Sequence, residues 1–536
     1  MSTVAAEYDT VATTTAGQVG GIVANGVHVF KGIPYGESTG GSNRFKAPVP
    51  RNPWTGVRDA TAYGPTAPQI GHAEMGGSAP TEPAAIERMK AFGDFLHGLS
   101  GDEPAQSEDC LVLNVCTPSL EPDVSRAVMV WIHGGGFETG SGSWTLYEGT
   151  PLAQRGDAVV VTINHRLGVL GFLHLDDIAG PEYAGSGNAG MLDIVLALQW
   201  VRDNIADFGG DPSKVLVFGG SGGASKTSTL LAMPSAKGLF HRGALLSGPY
   251  VKARTAQTAT ATSEQLLHVL GLGVDQVSAL HDLAVGELLT AAQRLGMPID
   301  AGLASSASPE AFMPLQPVLD GAVITHHPMD PMCAPHGTGV ATMIGSAKDD
   351  MRMMMLGMPW FGTLDDAGLA AMVAATFGPL ADEAHAAYRA AYPSFNPTQI
   401  AAQLVTDRVM WHGSIDWCER KVAAGGAPTW AYRFDYETTA LGGILGATHG
   451  GDIPFAFDNW MLHPMAGNRP ENAAFGKAVS EAFVRFAHTG NPNHPGLPEW
   501  RPYTTDDRCT MVLDVVSTAV EDPNARLREL WSARQA

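Results

Sequence analysis

Short, nearly continuous apolar runs alternate along this chain with longer stretches of helical periodicity. That alternation predicts an α/β architecture with a mostly parallel sheet. Ala127 to Ile132 (AVMVWI), Ala158 to Ile163 (AVVVTI) and Val215 to Phe218 (VLVF) have strand length. Their apolar residues do not alternate with polar ones, which is the pattern of strands buried on both faces. Between the second and third runs lies Asn188 to Phe208, where Leu192, Val195, Leu196, Leu198 and Val201 recur at roughly i, i+3, i+4 spacing. This predicts a helix with one face against the sheet, and another helix is expected directly after Ser221. Ala, Leu, Thr and Gln dominate Lys252 to Pro314, and Asp365 to Tyr392 has a similar helical character. The segments 252–314 and 351–392 are therefore the expected helical insertions capping the sheet. Gly and Pro scatter through loops without forming a linker, so residues 1–536 are read as a single domain.

Composition narrows the function classes. Apolar residues make up 45% and charged residues 16% of the 536 residues, enough for a sizeable core. A net charge of −21 repels nucleic acid and anionic membrane surfaces, so neither is an expected partner. The five cysteines (Cys110, Cys116, Cys333, Cys418 and Cys509) show no CxxC pair and no Cys/His ligand spacing. They predict neither a disulfide framework nor a metal site. The first residues lack a basic stretch followed by an apolar one, and no run approaches the length of a membrane span. A cytoplasmic monomer or small homo-oligomer without cofactors is the expectation.

The chemistry concentrates in two glycine-rich loops. Gly219-Gly220-Ser221-Gly222-Gly223 follows the strand KVLVF and precedes an apolar helical stretch. It fits the G-x-S-x-G nucleophile elbow, a sharp strand-to-helix turn that exposes the serine above the sheet. A rival exists, because Gly220 to Thr227 (GSGGASKT) nearly matches a phosphate-binding loop. Ser225 stands where that motif needs its second glycine. The other loop, Trp131 to Phe137 (WIHGGGF), also follows a strand and has the HGGG form of an oxyanion hole. Its donors would be the amides of Gly135 and Gly136, joined by that of Gly222.

Beyond these loops the chain resembles the type-B carboxylesterase/cholinesterase family. The resemblance runs through FKGIPY (30–35), SEDCLVLNV (107–115), NHRLG (164–168), NIADFGGDP (204–212), LFHRGALLSG (239–248), PVLDG (317–321) and TGNPN (489–493). It implies an α/β-hydrolase fold and a cofactor-free serine hydrolase acting on a small-molecule ester. The family's histidine lies in a GAxHG segment, matched by Gly446 to Gly450, so His449 is the implied base. Its acid is a glutamate after K/R-D. Here Asp350 occupies that place in GSAKDDM, with Asp349 as the rival. The family's usual G-E-S-A-G elbow is also altered, with Gly220 for the glutamate and Gly222 for the alanine. Esterases acting on aryl carbamates resemble this form, which leaves carbamate or amide hydrolysis open beside ester hydrolysis. A non-catalytic cholinesterase-like role is disfavoured, since such relatives typically lack the serine or the histidine.

Specificity is read more coarsely. Cys110 has no earlier cysteine to pair with, and residues 66–109 contain no tryptophan, so the choline-binding loop of cholinesterases is missing. Ile86 to Leu99 reads instead as an amphipathic helix near the entrance. The run Met351 to Phe361 (MRMMMLGMPWF) is an adaptable apolar cluster. Met351, Met354, Met358, Trp360 and Phe361 are expected either to line a broad hydrophobic pocket or to fill core beside the acid. His326-His327 are read as structural.

Overall fold

The apolar runs form the middle of a 13-stranded mixed sheet in a computed structural model that describes residues 8–71, 82–296 and 313–535. In chain order the strands are β1 (Thr10–Thr14), β2 (Gly17–Ala24), β3 (Val27–Pro34), β4 (Val57–Asp59), β5 (Val112–Thr117), β6 (Arg126–Ile132), β7 (Val159–Ile163), β8 (Gly210–Gly220) and β9 (Arg242–Leu246). Next come β10 (Arg254–Thr255) and β11 (Val318–Leu319), which pair only with each other, then β12 (Ala341–Ala347), β13 (Thr429–Phe434), β14 (Cys509–Leu513) and β15 (Thr518–Glu521). The spatial order is β1-β2-β3-β5-β7-β6-β8-β9-β12-β13-β14-β15, with β4 beside β2. From β7 to β14 every neighbouring pair is parallel, and antiparallel pairs flank this block.

Every residue of β6 and β7 is buried, as expected of strands covered on both faces. Their side chains still alternate between two separate cores. Val128, Val130, Ile132, Val159, Val161, Val215 and Val217 face one. Ala127, Met129, Trp131, Val160, Leu216 and Phe218 face the other. The predicted helix spans Ala189–Asn204 and tightens into a 3-10 turn at Ile205–Phe208. It is buried nearly all round rather than on one face. Even Asp193 is enclosed, as its carboxylate pairs with Arg166 at 2.6 Å.

The stretch 252–314 contains the helices Ala256–Val269 and Val285–Ala292, while residues 297–312 lie outside the described residues. Helices Asp366–Phe377 and Ala381–Ala391 join Pro397–Thr406 and the C-terminal helix in a third, smaller core around Phe377, Tyr388 and Trp531. The five cysteines are buried free thiols. Among the described residues no helix is long and apolar enough to cross a membrane. The arrangement is an α/β-hydrolase fold. In such sheets, sites form at the carboxyl ends of parallel strands. Here β6, β8, β9, β12 and β13 all lead into the segments described next.

Candidate active site

Ser221 occupies the turn between β8 and the helix Gly222–Leu230. Its backbone has φ 56° and ψ −124°, a conformation that costs a non-glycine residue about 1–3 kcal/mol. Two hydrogen bonds hold it there. Ser221 N–H donates to the Leu246 carbonyl at the end of β9 (2.8 Å), and Ser225 N–H donates to the Ser221 carbonyl (3.1 Å). The glycines have a packing reason as well. A Cβ on Gly222 would overlap the Gly136 carbonyl, and one on Gly223 would overlap the Ile132 carbonyl. The start of this helix thus lies backbone to backbone on the loop after β6. In this backbone arrangement a side chain at Gly222 would have no room.

In that loop Gly135 (φ 83°) and Gly136 (φ 62°) adopt left-handed conformations that glycine accepts without strain. The Gly135 carbonyl turns inward and accepts from the Glu138 and Thr139 amides at 3.2 and 3.0 Å. The amides of Gly135 and Gly136 have no acceptor among the described residues. The Gly222 amide, at the first helical position, has none within its helix. All three amides thus belong to the helix start and the loop that pack on each other through Gly222 and Gly136.

Asp350 begins the 3-10 turn Asp350–Met355 just past β12 and is fully buried. Its Oδ1 lies 2.5 Å from His449 Nδ1. Its Oδ2 accepts from Ser247 Oγ (2.6 Å) and from the Ala347 amide (2.8 Å). Asp349 faces elsewhere. It pairs with Arg352, and its Oδ2 accepts from the Ala447 amide at 2.9 Å. Its own N–H donates to the Ala447 carbonyl, also at 2.9 Å. Asp349 therefore clamps the loop that carries His449 without touching the imidazole. Burial works to lower the basicity of His449. The Asp350 carboxylate outweighs it, and the net shift is upward from 6.5.

The serine and histidine segments meet across Ile453. Its Cδ1 lies 3.0 Å from where a Cβ on Gly220 would be, and 3.2 Å from that of Gly450. The place of the family's glutamate is thus already filled by an isoleucine methyl, with Trp131 behind it at 3.4 Å. Ser221 Oγ and His449 Nε2 make no hydrogen bond to each other.

Three residues around this site carry no role legible in the sequence. Ser247 sits in a left-handed conformation (φ 52°) after β9, inside the ALLSG run that carried the resemblance but suggested no role. Asp452 is fully buried. Its Oδ2 accepts from Tyr432 Oη (2.7 Å), its Oδ1 has no hydrogen-bond partner among the described residues, and burial pushes its pKa up to about 6. The third, Lys226, belongs to the segment resembling a phosphate loop. Its side chain is buried and Nζ donates to the His133 carbonyl (3.2 Å), so it is not free to hold a phosphate. Of the methionine-rich run, Met351, Met358 and Phe361 are buried in the second core, with Met354 and Trp360 packed on its edge. The helix Pro83–Ser100 covers this run, with Arg88 Nε donating to the Leu356 carbonyl at 3.3 Å.

Comparison with known proteins agrees with this architecture. The model of the carboxylesterase family matches residues 8–528. A para-nitrobenzyl esterase of Bacillus subtilis is 36% identical over 525 residues, covering 97% of this chain and 98% of its own length. A phenmedipham hydrolase of Pseudarthrobacter oxydans is 35% identical, with 94% of each chain covered. Among solved structures, a carboxylesterase of Geobacillus stearothermophilus superposes with a TM-score of 0.80 at 36% identity, over 97% of this chain and all of that one. An esterase of Clostridium hathewayi described as hydrolysing aliphatic aromatic polyesters gives 0.78 at 32%, over 98% and 99%. The chain belongs to the carboxylesterase (type-B carboxylesterase/cholinesterase) family and is a carboxylic-ester hydrolase.

Proposed function

We propose that hydrolysis proceeds through an acyl-enzyme formed on Ser221. His449 Nε2 takes the Ser221 proton as Oγ attacks the ester carbonyl, and Asp350 fixes the tautomer and stabilises the imidazolium. The amides of Gly135, Gly136 and Gly222 hold the oxyanion that forms. His449 then protonates the leaving alcohol, the C–O bond breaks, and a water activated by the same histidine releases the acid. The observation that carries this reading is the buried 2.5 Å contact of His449 Nδ1 with Asp350 Oδ1, beside a serine in a strained strand-to-helix turn. Ser221→Ala should leave the circular-dichroism spectrum unchanged and cut nitrophenyl-ester turnover by about 10⁶-fold, the loss typical of a removed nucleophile. Turnover persisting in that variant would overturn the assignment.

The preferred substrates are hydrophobic or aromatic esters. The names of the relatives support this, as do the apolar residues near the site. Met313 Sδ lies 3.3 Å from where a Cβ on Gly136 would be. We read the described parts of the segments 252–314 and 351–392 as the cap over the carboxyl edge of the sheet. A panel of esters graded in acyl length, with aryl diesters and carbamates alongside, tests the preference. Short aliphatic esters turning over fastest would contradict it.

A further inference from the structure

Lys226 lies on the helix that begins beside Ser221, five residues beyond it, and its exposure is 0%. No carboxylate pairs with it among the described residues, and burial alone pushes its pKa down to about 7. An aliphatic side chain would fill this space without the penalty of a buried, unpaired ammonium. The contacts that Lys226 makes suggest why a lysine is there. Its Nζ donates to the His133 carbonyl at 3.2 Å and lies 5.7 Å from the centre of the Phe137 ring. His133 and Phe137 bracket the three glycines 134–136. On the other side of the loop, His133 stacks on His165 with ring centres 4.7 Å apart. Burial and the nearby Lys226 keep both imidazoles neutral, with His133 lowered to about 3.

The oxyanion donors of the proposed mechanism lie on two separate elements. Gly222 is on the helix, and Gly135 and Gly136 are on the loop. Glycine contacts join these elements on both sides of the run, Gly222 on Gly136 and Gly223 on Ile132, and the Lys226 bond to His133 adds a polar tie at the start of the run. Because the peptide unit is planar and trans, holding the His133 carbonyl toward the helix turns the Gly134 N–H the opposite way. The course of the next three residues starts from that orientation. We propose that Lys226 is a positioning residue of the oxyanion hole, bracing the His133 carbonyl to the helix that carries Ser221 and Gly222 so that the three amides converge. This rests on the acyl-enzyme reading given above.

The test is Lys226→Met, which keeps an unbranched side chain and removes the donor. Loss of an oxyanion donor typically lowers kcat by about 10²–10³-fold. Loss of a brace should lower it by about 10–100-fold with KM changed less than about twofold, the signature of a contact that matters in the transition state. The rate ratio of a nitrophenyl ester over its thionoester gives a second readout, because sulfur is a poor acceptor for these amides. That ratio should fall about tenfold or more in Lys226→Met, whereas a purely structural defect lowers the melting temperature and leaves it unmoved. A folded Lys226→Met with wild-type kcat and an unchanged ratio overturns the proposal. If Lys226→Met does not fold, Lys226→Arg and Lys226→Gln are compared. Arginine, which retains the donors, should be at least about tenfold faster than glutamine, and equal rates overturn the proposal. Labelling of the wild type with a fluorophosphonate separates the two levels. Failure to modify Ser221 would sink the acyl-enzyme reading itself, whereas normal labelling with an unaffected Lys226→Met sinks only the brace.

Discussion

Asp350→Asn tests how the site sets the histidine tautomer. Three donors converge on the Asp350 carboxylate: His449 Nδ1–H on Oδ1, and Ser247 O–H with the Ala347 amide on Oδ2. An asparagine NH2 must oppose at least one of them. Placed at the Oδ2 position, it would face the Ala347 N–H, which is fixed by the backbone of β12. Placed at the Oδ1 position, it faces an imidazole that can move its proton from Nδ1 to Nε2. The second arrangement is therefore expected, and it leaves His449 without a lone pair toward Ser221. An inverted tautomer of this kind lowers kcat by about 10⁴, or about 5.4 kcal/mol of barrier. Initial rates on a nitrophenyl ester measure it, with circular dichroism as the check on folding. Asp349→Asn is the matched control, one residue away. It breaks the pair with Arg352 and weakens the hold on Ala447, which for a buried pair costs about 3–5 kcal/mol of stability. Its melting temperature should fall while kcat stays within about tenfold, since the His449–Asp350 contact remains. A slower Asp349→Asn enzyme, or an Asp350→Asn that keeps more than about a tenth of wild-type kcat, would show that Asp350 does not set the tautomer.

Two further outcomes follow from the same geometry. His449 must be neutral to accept the serine proton and is held above 6.5 by Asp350 against the effect of burial, so kcat/KM should rise with pH through a midpoint above 6.5. The linked stability runs the other way. The raised folded pKa makes the His449 contribution complete below pH 6.5 and lost as pH rises through the folded value. The melting-temperature advantage of the wild type over His449→Gln should shrink across that window, and an activity midpoint below 6.5 would contradict both statements. The second outcome concerns Gly220, whose Cβ would sit 3.0 Å from Ile453 Cδ1. Gly220→Ala should destabilise by about 1–3 kcal/mol through overpacking. Ile453→Val removes that methyl, so the double variant should recover part of the loss, with a coupling of about 0.5–3 kcal/mol. Strictly additive melting shifts would show that Ile453 does not occupy the vacated glutamate space.

The central strands were legible in the sequence because strand formation there is a local matter. A run such as Ala127 to Ile132, apolar at every position, suits a strand covered on both faces, and β6 is buried throughout. The two glycine loops were legible for a related reason: left-handed turns and close backbone approaches select glycine wherever they occur. The sequence left Asp349 and Asp350 open, since adjacent aspartates look alike until the chain beyond β12 is folded against the loop 446–450. Only the tertiary structure sets Asp350 at 2.5 Å from His449 and turns Asp349 to Arg352 and Ala447. Ser247 and Lys226 stayed hidden because each gains its significance from a contact with an element about 100 residues away, and Asp452 because its burial against Tyr432 is set by packing. The methionine-rich run shows the same limit, since its composition suits a pocket wall and a core equally well. Which of its side chains keep exposed surface depends on the helix Pro83–Ser100 packed over it. Local patterns thus determined where the strands and turns fall. The relative placement of side chains about 100 residues apart depended on packing that no local pattern encodes.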